Sequence, residues 1–366
     1  MQVCLRKLTF LICICLLQSA CVTKQSHSII YVKPSCKAEV NCFERVQDAI
    51  DAAPDASQTP VSIFIAAGSY REKIVLLKSN LRLIGDSQAT TRIVYDDYAG
   101  KMGPENKVLG TPGSASFKIS ATNIRLENLS IENTFDYLQN DALAANDPHK
   151  IVAAQAVALF IDSPSDKIFV RNVRIAGNQD SLFINSGRSW FDRVLVEGNV
   201  DYIFGNGNAL FTHSEIKTLA RGKANTPHGF ITAPSTQVSS TYGFTFYKCR
   251  LTREKNVPNN SVALGRPWHP TAQFSDGRYA DPNAIGKSVF IESWMDAHVM
   301  TVGWHAMSGT AKDGQKIQFP PESARFYEYK NSGEGAKPNE ARRQLPSESV
   351  ADYARKKILG DWAIAY

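Results

Sequence analysis

NQDSLFINSGRSWFDRVLVEGNVDYIFGNG, residues Asn178–Gly207, places two aspartates, Asp180 and Asp201, in short apolar settings 21 residues apart. Turn aspartates usually sit among Gly, Pro and polar neighbours, whereas these two stand beside SLFI and YIFG. The wider pattern explains the spacing. Apolar-x-x-apolar-x-apolar fits Leu126/Leu129/Ile131, Val170/Val173/Ile175, Phe191/Val194/Val196 and Phe246/Cys249/Leu251, and Phe211 and Ile216 fit it with Ser214 in the middle. The first positions step by 44, 21, 20 and 35 residues. A unit of roughly 20–22 residues accounts for the middle steps, with 44 read as two units and 35 as one unit carrying an inserted loop. Short strands of this period, rich in Val, Ile and Phe and broken by Gly, Asn and Asp, predict an all-β solenoid, a right-handed parallel β-helix. A leucine-rich repeat needs a Leu/Asn signature that is absent, and an antiparallel sandwich does not hold so constant a step.

Asp180 and Asp201 each lie ten residues after the first apolar position of their own unit, so the repeat stacks them on successive coils. Neighbouring strands are about 4.7–4.9 Å apart. Arg221 has the same offset from Phe211 and is expected above Asp201 in the same column. Two carboxyls so close cannot both ionise cheaply, so one keeps its proton while the other is charged. That is an acid beside a base or nucleophile. The pair suits a retaining glycosidase. An inverting glycosidase needs a wider gap, and a polysaccharide lyase needs a basic proton acceptor. Ester hydrolysis fits too, given donors for the developing oxyanion. Gln179 adjoins Asp180, and Gln155 lies 24 residues earlier, about one coil back, so both are candidate donors. No G-x-S-x-G occurs and Ser114 has no histidine partner nearby in sequence, which argues against serine chemistry. In ALGRPWHPTAQFSDGRYADP (Ala263–Pro282), Arg266 can orient an ionised aspartate and Trp268 can stack on a sugar ring.

The chain has 366 residues, 43% of them hydrophobic, enough for a large core. Arg6 and Lys7 precede an apolar run, Leu8–Leu17, and then QSAC, which reads as a secretory signal peptide ending near Ala20 or Cys21. The alternative is a bacterial lipobox with Cys21 acylated and the protein held at the outer membrane. Residues 22–40 read as an N-terminal extension and 41–366 as one β-helix domain. Cys36 and Cys42, six apart in a secreted context, are expected to pair, leaving Cys249 as a buried thiol. Loss of Arg6 and Lys7 takes the formal charge from +6 to +4, compatible with an acidic extracellular substrate. No CxxC or HExxH occurs and the seven histidines are scattered, so no zinc site is suggested. Asn128 and Asn259 lie in glycosylation sequons.

QAVALF (Gln155–Phe160), NQDSLF (Asn178–Phe183), GNVDYIFG (Gly198–Gly205) and LGRPW (Leu264–Trp268) resemble, in order, the signature segments of the pectin methylesterases. The resemblance runs from about Phe43 to the C-terminus and is closest to the bacterial plant-pathogen branch. It implies a right-handed parallel β-helix that removes C6 methyl esters from homogalacturonan and releases methanol without a cofactor. It implies Asp201 as nucleophile, Asp180 as acid and base, Gln179 as oxyanion donor supported by Gln155, and Arg266 as the group orienting Asp201. Trp268 would line the sugar groove, with Phe204 and Met307 as further groove residues. Arg221 is our own candidate for holding a galacturonate carboxylate. Ser181 and Phe183 stand where the family often has Thr and Tyr, and Tyr202 where Phe is usual. Some relatives of this fold are envelope lipoproteins acting on small acyl thioesters, but the retained QD, VD and RPW residues favour the pectin reading. The expected partner is the polysaccharide, with no nucleic acid, no membrane unless Cys21 is acylated, and a monomeric chain.

A solenoid has two open ends to cover. Asn41–Pro54, apolar at Phe43, Val46, Ala49 and Ile50, predicts a helix over the first coil, and Ser347–Gly360 predicts a second near the far end. Segments Asp136–Lys150, Arg221–Gly229 and Lys255–Ser261 read as loops walling the groove.

Overall fold

The structure, a computed structural model, describes residues 29–362 except 38, 56, 58, 224 and 225. The expected signal segment Met1–Cys21 lies outside these residues. Parallel strands follow one another around a right-handed β-helix, and inward side chains of successive coils stand in files. Ile30, Ile63, Leu83, Leu126, Val170, Phe191, Phe211, Phe246 and Phe290 pair in register one above another. All but Ile30, at 4%, are 0% exposed. The last four phenylalanines stack with centroids 4.4–4.6 Å apart and planes within 11°. This file is the core, and the repeat read from sequence is its imprint. The repeat continues at Phe290/Ser293/Met295, one coil beyond the last unit recognised. The 44-residue step needs correcting. Leu126 pairs directly with Val170, so those residues form one coil with a long insertion, not two units.

The motif is set by a corner. Two residues after the first apolar position come Asn128, Asn172, Arg193, His213, Lys248 and Glu292, all with φ between 49° and 55°. A left-handed residue bends the strand, so the positions three and five after the first apolar one again point inward. Asn, suited to this conformation, fills two corners, and Asn172 Nδ2 donates to Asn128 Oδ1 across 2.6 Å.

The first coil is covered as expected. The helix Val46–Ala52 buries Val46, Ala49 and Ile50. Its free N–H groups at Val46 and Gln47 donate to the Glu72 carboxylate at 2.8 and 3.1 Å, which also complements the helix dipole. Cys36 and Cys42 form a disulfide just before it, and Cys249 is a buried free thiol. The far end is closed differently from expectation. The file of apolar residues ends at Glu328, in register with Phe290. Arg342 grips its carboxylate at 2.7 and 2.6 Å and donates to Gly335 O. Ser347–Tyr353 is a 3-10 turn and Arg355–Leu359 a short helix. Ile358 and Leu359 pack against Phe169, Trp190 and Leu210, on the flank of the middle coils, because those outward side chains offer an apolar strip there. Glu328→Gln, leaving the Arg342 cation uncompensated in the end of the core, is expected to cost about 3–5 kcal/mol. A lowered denaturant midpoint against the wild type checks this.

Candidate active site

One face of the solenoid is a seven-stranded parallel sheet whose strands follow sequence order: Ile74–Leu76, Phe117–Ile119, Leu159–Ile161, Leu182–Ile184, Val200–Gly205, Gly229–Pro234 and Val262–Gly265. The bridge Gln179–Val200 and the pair Leu182–Ile203 put Asp180 opposite Asp201 on adjacent coils. Both aspartates are in the left-handed region, with φ of 64° and 49°, a conformation aspartate tolerates better than bulky side chains. They are thus corner residues and a carboxylate pair at once. Against the next strand the register slips between Val200 and Ile203, a bulge at Asp201 of the kind that re-aims side chains. Gly198 makes room for it, since a Cβ there would lie 2.2 Å from that of Tyr202. Tyr202, expected to be the family's Phe, is fully buried, and its hydroxyl bonds Thr218 Oγ1 at 3.1 Å.

Gln155, Gln179, Asp180, Asp201, Phe204, Arg266, Trp268 and Met307 line one cleft of about 490 Å³. Its apolar floor is a stack of Phe160, Phe183 and Phe204, with centroids 4.4 and 4.2 Å apart, and Trp268 stands edge-on to Phe204 at 5.6 Å. Phe183 therefore packs as a tyrosine ring would, without a hydroxyl to bond substrate. Thr111, Pro112 and Ala233 also line the cleft and were not read from sequence. The first two belong to an insertion outside the repeat, and Ala233 is marked only by its register with Phe204. Ser114 is fully buried and bonds Thr111 O at 2.7 Å, a structural role.

Charge divides the two carboxyls. Arg266 grips Asp201 in a fork, Nε to Oδ1 at 2.8 Å and Nη2 to Oδ2 at 2.5 Å, and its guanidinium lies 3.8 Å from the Phe230 ring centre. Such bidentate, charge-assisted pairing fixes the orientation of the carboxylate. Burial and then the Asp201 charge push the Asp180 carboxyl well above the usual range, with Arg266 opposing. Asp180 is 8% and Asp201 6% exposed.

Arg221 is not above Asp201. Arg221 falls between the strands Glu215–Thr218 and Gly229–Pro234, and the strand that follows Val200–Gly205 in the sheet is Gly229–Pro234. Arg221 instead clamps Asp141, with Nη2 to Oδ1 at 2.7 Å and Nε to Oδ2 at 3.1 Å, tying two insertions together. Tyr137, on the helix Tyr137–Ala142 beside it, is a residue sequence reasoning missed. Burial pushes its hydroxyl up to about 12, Arg221 opposing and Asp141, Asp180 and Asp201 adding to the rise, so it lies within the field of the pair. Among the described residues, none of the three segments expected to wall the groove, Asp136–Lys150, Arg221–Gly229 and Lys255–Ser261, contributes to the cleft lining. Val257 buries itself in the main core instead. Among the described residues no three His, Cys, Asp or Glu side chains converge as metal ligands.

Known proteins are similar to this chain in sequence and fold. Residues 35–355 match the family model described as pectinesterase. Pectinesterase A of Dickeya dadantii is 41% identical over 323 residues, 87% of each chain. Pectin methylesterase PemA from Erwinia chrysanthemi superposes with a TM-score of 0.87 at 40% identity, over 92% of this chain and 97% of that one. A pectin methylesterase crystallised with a hexasaccharide gives 0.88 at 40% identity, over 92% and 98%. With a parallel β-helix, an in-register aspartate pair and a family match over most of its length, the chain belongs to the pectinesterase family.

Proposed function

We propose that Asp201 attacks the C6 methyl ester of a galacturonate unit in homogalacturonan, forming an acyl-enzyme, while Asp180 donates its proton to the departing methanol. The chain is a pectinesterase that demethylates pectin. The observation that carries this division of labour is the asymmetry of the pair. Asp201 is held by two charge-assisted bonds from Arg266, and Asp180 is buried with its carboxyl raised. A nucleophile must be ionised and an acid protonated at the same pH. Gln179 and Gln155 are the proposed donors to the oxyanion of the tetrahedral intermediate. Asp180, now ionised, takes a proton from water, whose oxygen attacks the acyl carbon. The C–O bond to Asp201 breaks, and the galacturonic acid formed loses its proton. Trp268, Phe204 and Met307 hold the sugar chain over the pair. Arg221, our sequence-based candidate for a galacturonate carboxylate, acts through its clamp on Asp141 as a brace for the wall beside Tyr137.

The test is the pH dependence of methanol release. The first step needs the Asp180 proton, so kcat/KM is expected to fall as pH rises through its raised pKa. A rate that stays level through that range would remove Asp180 from the acid role. Gln179→Ala, deleting one oxyanion donor, should lower kcat by roughly 100- to 1000-fold with a smaller change in KM. An unchanged kcat counts against the donor assignment. We also propose that residues Met1–Cys21 direct secretion. The Cys36–Cys42 disulfide suits an oxidising compartment, and no described helix is long and apolar enough to cross a membrane. The chain is proposed to act as a monomer.

A further inference from the structure

Away from the cleft, and sharing no lining residue with it, a hollow of about 760 Å³ opens between the coil strands and the Ser347–Tyr353 turn. Lys287 and Arg325, on neighbouring strands, are directly in register. Like charges so placed repel and destabilise a sheet, and the usual remedy is a carboxylate between them. None is there. Among the described residues Lys287, Arg325, Arg343 and Lys357 make no ion pair with any carboxylate, although 24 Lys or Arg pairs with carboxylates occur elsewhere. The donors of Lys287, Arg325 and Arg343 are held by backbone carbonyls instead. Lys287 Nζ donates to Thr241 O at 2.7 Å, Arg325 Nη1 to Ser240 O at 2.7 Å, and Arg343 Nη2 to Ala324 O. These bonds fix the cations in place and leave their charge uncompensated. One acidic residue, Asp352, lines the hollow, and it is exposed.

Aromatic faces supply the second half of the site. Lys287 lies 5.2 Å from the Tyr353 ring centre and Arg343 5.1 Å from that of Tyr327. If these faces stabilised the cations fully, Lys287 would keep an ordinary pKa. Burial, and then Arg325, pull it down to about 8. Fixed cations, unbalanced charge and tyrosine rings together match a ligand with carboxylates carried on pyranose rings.

We infer that this hollow is a second, non-catalytic site for de-esterified galacturonan, the polyanion that the cleft produces. The inference rests on the pectinesterase reading. It gives the enzyme a grip on charged stretches of the same polysaccharide whose esterified stretches enter the cleft.

The test is titration calorimetry of the full mature chain with a short, fully de-esterified oligogalacturonate at low ionic strength. Two equivalents are expected to bind the wild type, one in the cleft and one in the hollow. Trp268→Ala should lose the first. Lys287→Gln combined with Lys357→Glu should lose the second, and Lys357→Glu alone, an exposed position chosen to leave the fold intact, should weaken it about tenfold. One equivalent in the wild type, or two equally tight in the double variant, overturns the inference. Displacement from the hollow by an equal concentration of inorganic phosphate overturns the choice of a sugar acid. Absence of methanol release from pectin would sink the underlying reading instead. Methanol release with single-site binding sinks only this inference.

Discussion

Asp201→Ala should abolish methanol release from methylated pectin, with kcat reduced by roughly ten-thousand- to million-fold, as when the nucleophile of a covalent mechanism is removed. The alanine removes the attacking oxygen and also strands Arg266, whose side chain is only 21% exposed. A buried cation losing its partner costs about 3–5 kcal/mol. Relief of the repulsion on Asp180 offsets part of this. Asp201→Asn separates the two effects. It keeps the shape and one acceptor for Arg266, so it should be more stable than the alanine variant and equally inactive, because an amide is no nucleophile. Methanol assay and thermal melting of both variants together check this. Release at the wild-type rate in either one would sink the nucleophile assignment.

Asp180→Asn should lower kcat by roughly 100- to 10,000-fold while raising stability at neutral pH. The sign follows from linkage. In the unfolded chain the Asp180 carboxyl ionises in the ordinary range, whereas in the folded chain burial and Asp201 hold its proton to higher pH. The unfolded state therefore sheds a proton that the native state keeps. Stability is full below the unfolded pKa and is lost as pH rises through the raised folded value. Asparagine never ionises, so the variant is expected to be the more stable protein above that range. At a pH where both carboxyls are protonated this advantage should vanish. A melting temperature that rises equally at both pH values would contradict a titrating, buried Asp180. The pair thus gives up stability for reactivity, a trade common in active sites.

Particular residues show how far the sequence could be read. The Val170–Phe191–Phe211 file is spaced by near-constant steps of 21 and 20 residues because every coil must return to the same interior, so the solenoid was visible wherever insertions are short. The 44-residue step misled because an insertion can imitate two regular units in length. Asp180 and Asp201 sit on coils without insertions and keep their offset, so counting placed them side by side. Arg221 failed on the same count, since the next strand of the sheet begins only at Gly229, eight residues further on. Gln155 was placed by counting about one coil back from Gln179, while Arg266 and Trp268 were read from their own Gly- and Pro-rich segment. Tyr137 and Pro112 escaped altogether. Both lie in insertions whose path is set by tertiary packing, where no period constrains them. The C-terminal helix was recognised by its pattern but not its docking place, because an amphipathic stripe does not name its partner. Glu328 closes the core where a file of apolar residues predicts another one, and Arg342 and Asn331, both bonded to its carboxylate, make that tolerable.

The measurement that tests the account most directly is to follow methanol and new reducing ends in one tube of highly methylated pectin, with wild type and Asp201→Ala side by side. The account predicts methanol without new reducing ends from the wild type, and neither from the variant. New reducing ends without methanol would move the aspartate pair to cleaving glycosidic bonds and contradict the ester chemistry proposed for Asp201 and Asp180.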